Sequence, residues 1–321
     1  MVAVTRPLAQ SIAEAADPAR WMEHLVQRYP ATQTERLRDA LQWAQQHYGD
    51  RPQPQTNEPL LPHAVAAASI VADLNLDVDA VIATLLFAAA DFVDNANDAL
   101  TARFGPEVAR LVDGVWRVRK IHTLTQGAPR AADNGAQIEA LRKMLLAMVE
   151  DMRVVLINLA WRTQTMHSLA RVPDEQRRKL ARETLDIYAP LANRLGVWQI
   201  KWELEDLGFR YMEPETYKKI ARLLDERRVD RESFINDVLA TLRREITAAG
   251  VVHVDLMGRP KHIYSIWKKR CRKKSSISPS CTTSARCACW WMTSRIATRC
   301  WASSTTCISP FPANSRLHRP S

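Results

Sequence analysis

No aspartate or glutamate follows Asp255. Up to that residue the chain carries 32 Lys/Arg against 35 Asp/Glu, and after it 13 Lys/Arg against no acid at all. The whole formal excess of +10 therefore belongs to the last 66 residues. Soluble folded surfaces interleave both signs of charge, so the two parts of the chain do not follow one design. A nucleic-acid-coating surface over the entire chain is excluded, whereas a local anion site near the C-terminal side is not. Cysteine is distributed in the same way, with Cys271, Cys281, Cys287, Cys289, Cys300 and Cys307 all beyond Asp255. Zinc sites are built from paired C-x2-4-C ligands. A lone Cys287-x-Cys289 followed by two wider gaps fits that poorly.

The rest of the composition is that of a soluble globular protein. Of 321 residues 46% are hydrophobic and 25% charged, enough for two domains with their own cores. The longest apolar run, Val81–Ala90, is about half of the ~20 residues that a membrane span needs. The opening MVAVTRPLAQ has no charged start leading into an apolar stretch. A soluble, cytoplasmic protein without a membrane partner is expected.

Before residue 250 every pattern is helical. Trp21, Leu25, Leu37, Leu41 and Ala44 mark apolar faces in residues 1–50. Four prolines make Arg51–Pro62 a loop. Helices are expected over 63–76 and 77–92, the second capped by Asp77 or Asp79. Gly105-Pro106 precedes another, running to about Ile121, and a polar loop follows at Thr123–Asn134. Leu141, Leu145, Met148, Met152, Val155 and Leu159 recur every three or four residues and predict one buried stripe. A connecting helix over about 174–195 should stop at Gly196, and residues 198–249 should be helical with breaks at Gly208 and Pro214.

The pattern then changes. Val251–Met257 is short and β-branched between Gly250 and Gly258, which predicts a strand. Pro260 is suited to open a basic helix over about 261–274. Lys261, Ser265 and Lys269 are spaced four apart and share one face of that helix, with Arg259 at the turn before it. Free N–H groups, two ammonium groups and a guanidinium can hold a polyphosphate. Pattern alone equally describes a solvated basic helix.

The string Gly258-Arg259-Pro260-Lys261 with Ser265 and Lys269 resembles the G-R-x-K-x-x-x-S-x-x-x-K motif that opens the synthetase domain of the RelA/SpoT family of GTP pyrophosphokinases. Ile187–Gly196 and Lys201–Leu207 are similar to that family's central helices. The resemblance extends from about residue 20 to 274. It implies a mainly α protein in which a helical HD-type domain precedes the start of an α/β, nucleotidyltransferase-like synthetase domain. It also implies transfer of pyrophosphate from ATP to the 3′-hydroxyl of GTP or GDP, with Mg²⁺. Arg259 would contact the ATP base and phosphates, Lys261 and Lys269 would neutralise phosphates, and Ser265 would support the turn. The ribosome is the family's partner through C-terminal domains that this sequence does not contain.

In that family the helical domain hydrolyses the alarmone with Mn²⁺ held by a His, a His-Asp pair and a later Asp. His63 matches the first position. Phe87-Ala88 stands at the pair and Trp161 at the later Asp. Phenyl, methyl and indole groups donate nothing to Mn²⁺, so no Mn²⁺ and no hydrolysis are expected, as in the synthetase-only branch. Asp91 and Asp94 share a helix face but read as solvated or capping.

Residues 275–321 contain eleven Ser, five Cys and three Trp and keep no period of either kind. Where the family places a Mg²⁺-binding Asp this chain has Thr282, and no later catalytic Glu exists. Thr282–Ala302 can be encoded by codons that, read one base out of step, give YDVRALRVLVDDIQDCYTLLG, which is similar to the family's next strand and helix. A frameshift near Lys274–Ser280 is therefore expected. The resulting organisation is a degenerate HD domain at 1–173, a connecting helix at 174–196, a truncated synthetase domain at 197–274 and a disordered out-of-frame tail at 275–321. The unfinished sheet should leave an unpaired edge at Val251–Met257. Such a chain would have little or no pyrophosphokinase activity. Its rivals are a non-catalytic interaction module built on the helical domain, and an RNA-binding protein acting through Arg259–Lys274.

Overall fold

A computed structural model describes residues 17–126, 151–225, 228–248, 256–259, 262–271 and 289–292. These fall into two compact units, residues 1–214 and 215–321. The first unit holds ten helices among its described residues: α1 Pro18–Val26, α2 Ala31–Tyr48, α3 Leu60–Asp73, α4 Val78–Leu86, α5 Ala96–Phe104, α6 Pro106–Gln126, α7 Met152–His167, α8 Asp174–Glu183, α9 Ala189–Arg194 and α10 Trp198–Met212. Packing thus continues to Pro214, taking in the connecting helix and the residues just after it.

At the centre is α3, in which 12 of 14 residues are buried. An Ala-rich helix that is apolar on all sides is an interior helix, and α1, α4 and α7 pack around it. Trp21, Leu25, Leu37, Leu41 and Ala44 are all buried, as their spacing requires. So are Val155 and Leu159 of the predicted stripe, but Met152, in the first turn of α7, is 47% exposed. Positions 141–148 of that stripe lie outside the described residues.

Local chemistry sets the helix ends. Asp77 caps α4 by accepting from the Ala80 N–H at 2.9 Å. Gly196 ends α9 with φ of 72°, a conformation open to glycine without a Cβ penalty. Two expectations are corrected. Pro62 lies inside the first turn of α3, where its missing N–H costs nothing. Gly208 does not break α10 but lies within it, because helix packing needs the space: a Cβ there would come 2.8 Å from Leu185 Cγ. Leu185 belongs to a π-helical turn, Thr184–Tyr188, between α8 and α9.

The starts of α4, α6 and α7 meet at one guanidinium. Arg153 lies 2.7 Å from Asp77, 2.6 Å from Asp151 and in contact with Glu107. Carboxylates favour the positive ends of helices, and Arg153 neutralises their mutual repulsion. Its side-chain hydrogen bond holds the Asp151 carboxyl at about 2, below its usual 3.8. A depressed carboxyl stabilises the fold above its unfolded pKa, and that stability is lost as pH falls through the folded one. Arg153→Ala is expected to cost about 1–2 kcal/mol, by a smaller margin in 1 M salt. It should also flatten the fall in Tm between pH 4 and pH 2; thermal melts across pH and salt check both effects.

The second unit is described more sparsely. Its helices are α11 Pro214–Asp225 (whose first residue belongs to the first unit), α12 Arg228–Ala248 and α13 Ile263–Cys271. Strand β1 is Leu256–Arg259 and pairs antiparallel with β2, Cys289–Met292. The strand runs further than expected: Gly258 and Arg259 lie in β1 rather than in a turn, while residues 251–255 lie outside the described residues. One side of β1 is paired, with Leu256 facing Met292 and Met257 facing Trp291, and among the described residues no strand pairs its other side. Sequence pattern missed β2 because four residues are too few to show an alternation. The remainder of the tail lies outside the described residues.

Candidate functional site

The residues at the expected metal-ligand positions are brought together. α3 supplies His63, the 3-10 turn Phe87–Asp91 after α4 supplies Phe87 and Ala88, and α7 supplies Trp161. The indole of Trp161 packs against both other rings. Its centroid is 4.4 Å from that of His63 and 4.2 Å from that of Phe87, the latter edge-on at 73°. His63 is 0%, Phe87 1% and Ala88 3% exposed. The 24-residue interval in sequence between His63 and Phe87 thus closes into direct packing through Trp161.

A polar cluster that the sequence pattern did not reveal lies behind the imidazole. His63 Nδ1 bonds the Glu58 carboxylate, whose other oxygen accepts from Ser168 Oγ at 2.6 Å. Gln164 Nε2 lies 3.2 Å from the same hydroxyl. Burial pushes the Glu58 carboxyl up, but the bonds from His63, Ser168 and Gln164 outweigh it and leave the group below its ordinary value. Burial pulls the imidazole down, against the pull of Glu58. A neutral ring that gives its Nδ1 proton to a carboxylate presents a lone pair at Nε2. That Nε2 is buried and has no hydrogen-bond partner among the described residues.

The sequence signal for Glu58 was present but weak: an acid five residues before a buried His in a proline-rich loop. Nothing near position 63 pointed to Ser168, which is 110 residues from Glu58.

Beside Trp161 is a second buried polar group. Arg162 is paired with Glu183, and both are nearly buried, at 4% and 7%. Its Nε donates to Thr184 Oγ1 at 2.9 Å, and its guanidinium lies 4.4 Å over the Tyr188 ring. Burial, against the opposing charge of Arg162, pushes the Tyr188 phenol up to about 12. An arginine directly after the apolar 154–161 face of α7 was the available clue. Asp91 is held by Arg119 at 2.7 Å, a surface pair.

A divalent cation does not fit this pocket. Manganese-type sites take several carboxylate, imidazole or water donors. Here one imidazole nitrogen is available and the matching positions carry phenyl, methyl and indole groups. Among the described residues no group of three His, Cys, Asp or Glu can hold a metal ion. No helix among them is long and apolar enough to cross a membrane.

The polyphosphate-site residues are only partly placed. Ser265 and Lys269 both belong to α13, one turn apart, and Arg259 ends β1. α13 begins at Ile263, so the face expected to start at Lys261 starts later; Pro260 and Lys261 lie outside the described residues. Thr282 lies outside them as well.

A family model described as HD domain matches residues 40–198, the span that contains this pocket. Over 214 residues the chain is 42% identical to a protein of Synechocystis named a probable guanosine-3′,5′-bis(diphosphate) 3′-pyrophosphohydrolase. Over the same length it is 44% identical to a GTP pyrophosphokinase of Escherichia coli. A guanosine-3′,5′-bis(diphosphate) 3′-pyrophosphohydrolase of Aquifex aeolicus is 36% identical over 253 residues. These alignments cover 67%, 67% and 78% of this chain but only 27%, 28% and 34% of the relatives, so the chain spans about a third or less of their length.

Proposed function

The chain belongs to the RelA/SpoT family, and on that premise we propose that it is a member whose HD domain does not hydrolyse guanosine tetraphosphate. The observation that carries this reading is the packing of Trp161 between His63 and Phe87, which puts aromatic carbon where a hydrolase of this kind needs metal donors. Hydrolysis of a pyrophosphate ester at neutral pH relies on a metal to generate the attacking hydroxide and to neutralise phosphate charge. The residues of this pocket supply neither.

The ancestral activity of the second part is then pyrophosphate transfer from ATP to the 3′-hydroxyl of GTP or GDP, with Mg²⁺. Arg259, Lys261, Ser265 and Lys269 would hold ATP. The placement of Ser265 and Lys269 one turn apart on a single helix supports that role. Phosphoryl-type transfer needs a metal-held triphosphate and a positioned nucleophile. Thr282 stands where the family's Mg²⁺ carboxylate is expected, and a hydroxyl is a poor substitute for it. Little synthesis is therefore proposed for this chain, together with a frameshift before residue 282. Sequencing codons 270–285 tests the latter directly.

Purified chain with guanosine tetraphosphate and 1 mM MnCl2 should release no pyrophosphate above a no-protein blank. With ATP, GTP and MgCl2 it should form guanosine tetraphosphate at less than about a thousandth of the rate of an intact synthetase, the order of loss expected when an essential electrostatic group is missing. Metal-dependent hydrolysis in the first assay would overturn the reading of the HD domain. Robust synthesis in the second would overturn the reading of the tail.

A further inference from the structure

Loss of metal binding has two separable physical causes. One is chemical: positions 87 and 88 carry no donor atoms. The other is steric: an indole is seated on the one imidazole that remains. Much else that a metal ligand needs is still present at His63. Its Nδ1 is bonded to Glu58, which is itself fixed by Ser168, and this fixes the ring and leaves the Nε2 lone pair available. That nitrogen is buried and has no hydrogen-bond partner among the described residues, although buried polar atoms are nearly always paired. The indole of Trp161 packs on the imidazole, and the same indole also rests on Phe87.

We infer that the indole of Trp161, and not only the loss of donors at Phe87 and Ala88, is what shuts divalent cations out of the His63 pocket. The inference rests on the reading of this domain as metal-free and adds which residue keeps it so. An ion held by several donors needs room for itself and its remaining waters. Interiors are packed too tightly to provide that room beside an indole. New donors at positions 87 and 88 would therefore face an aromatic wall, with no path for an ion between them.

The experiment compares three versions of the chain: as it is, with the pair Phe87→His/Ala88→Asp, and with that pair plus Trp161→Ala, which removes the indole without adding a donor. Mn²⁺ binding is read from the loss of the free-ion electron paramagnetic resonance signal and from the Tm at 1 mM MnCl2. The first two should leave the signal and the Tm unchanged. The third should bind about one ion, and its Tm should rise by about 5 °C. If the pair alone binds as tightly as the triple variant, the indole is not the barrier and the inference is overturned. A folded triple variant that binds nothing overturns it as well. Should far-UV circular dichroism show that the triple variant has lost its helices, the pair with Trp161→Val decides in its place, since it removes the indole, leaves a smaller void and adds no donor. Mn²⁺ binding by the unaltered chain would instead defeat the metal-free reading itself, so the two failures are distinguishable.

Discussion

Replacing Arg162 with alanine is expected to destabilise the protein by about 3–5 kcal/mol, a large share of the ~5–15 kcal/mol that holds an ordinary domain folded. The guanidinium and its partner Glu183 are both almost entirely buried. Truncating Arg162 takes this counter-charge away from a carboxylate that is only 7% exposed. It also removes the donor to Thr184 Oγ1 and the cation above the Tyr188 ring. The cost is mainly that of stranding one charge and not the worth of the pair. The double variant Arg162→Leu/Glu183→Leu should therefore recover most of the loss. Thermal melts of the two singles and the double give the coupling. A loss below about 1 kcal/mol for Arg162→Ala would show that Glu183 finds solvent, and that the pair is not part of the core.

The second large effect is expected from a methyl group. Gly208→Ala should cost about 1–3 kcal/mol through overpacking, although alanine favours a helix over glycine by about 1 kcal/mol. A Cβ at 208 would lie 2.8 Å from Leu185 Cγ, 2.9 Å from its Cδ2 and 3.4 Å from the Ala181 carbonyl. The Leu185 side chain, set on the π-helical turn, would have to shift or change rotamer, and the Ala181 carbonyl of α8, already at contact distance, limits how far the new methyl can move the other way. Gly114 provides the control. A Cβ there would come 2.9 Å from a Val154 methyl, but no backbone atom is in the way. Gly114→Ala should therefore be the milder change. Equal losses in urea titrations of the two variants would count against a special role for the turn.

How much of this was legible in the sequence depended on distance along the chain. Period and punctuation located α3 and α4, and gave residues 1–50 as helical without separating α1 from α2, because each signal lies within one or two turns, as with Asp77 capping α4 and Gly196 ending α9. Phe87, Ala88 and Trp161 were legible as positions to compare, through spacing matched to a family pattern. Their packing was not: nothing at position 161 says that its ring will rest on both His63 and Phe87. The Glu58–Ser168 and Arg162–Glu183 contacts were missed because a polar residue's partner is a tertiary fact. Gly208 misled for a related reason. Glycine is ordinary punctuation in a sequence, and only the neighbour at Leu185 shows that here it makes room. The reach of β1 to Arg259 was missed because Gly258 reads as turn punctuation in sequence.

The π-helical turn at Thr184–Tyr188 has one further consequence. A single turn of this kind inside a helix is geometrically an insertion of one residue, absorbed without breaking the rod. Deleting a residue between 184 and 188 would let ordinary winding resume, with the segments on either side keeping their present facing. Homologous chains of different length can therefore be superposed here by a one-residue gap, and the site marks where evolution could lengthen this stretch without redesigning what flanks it.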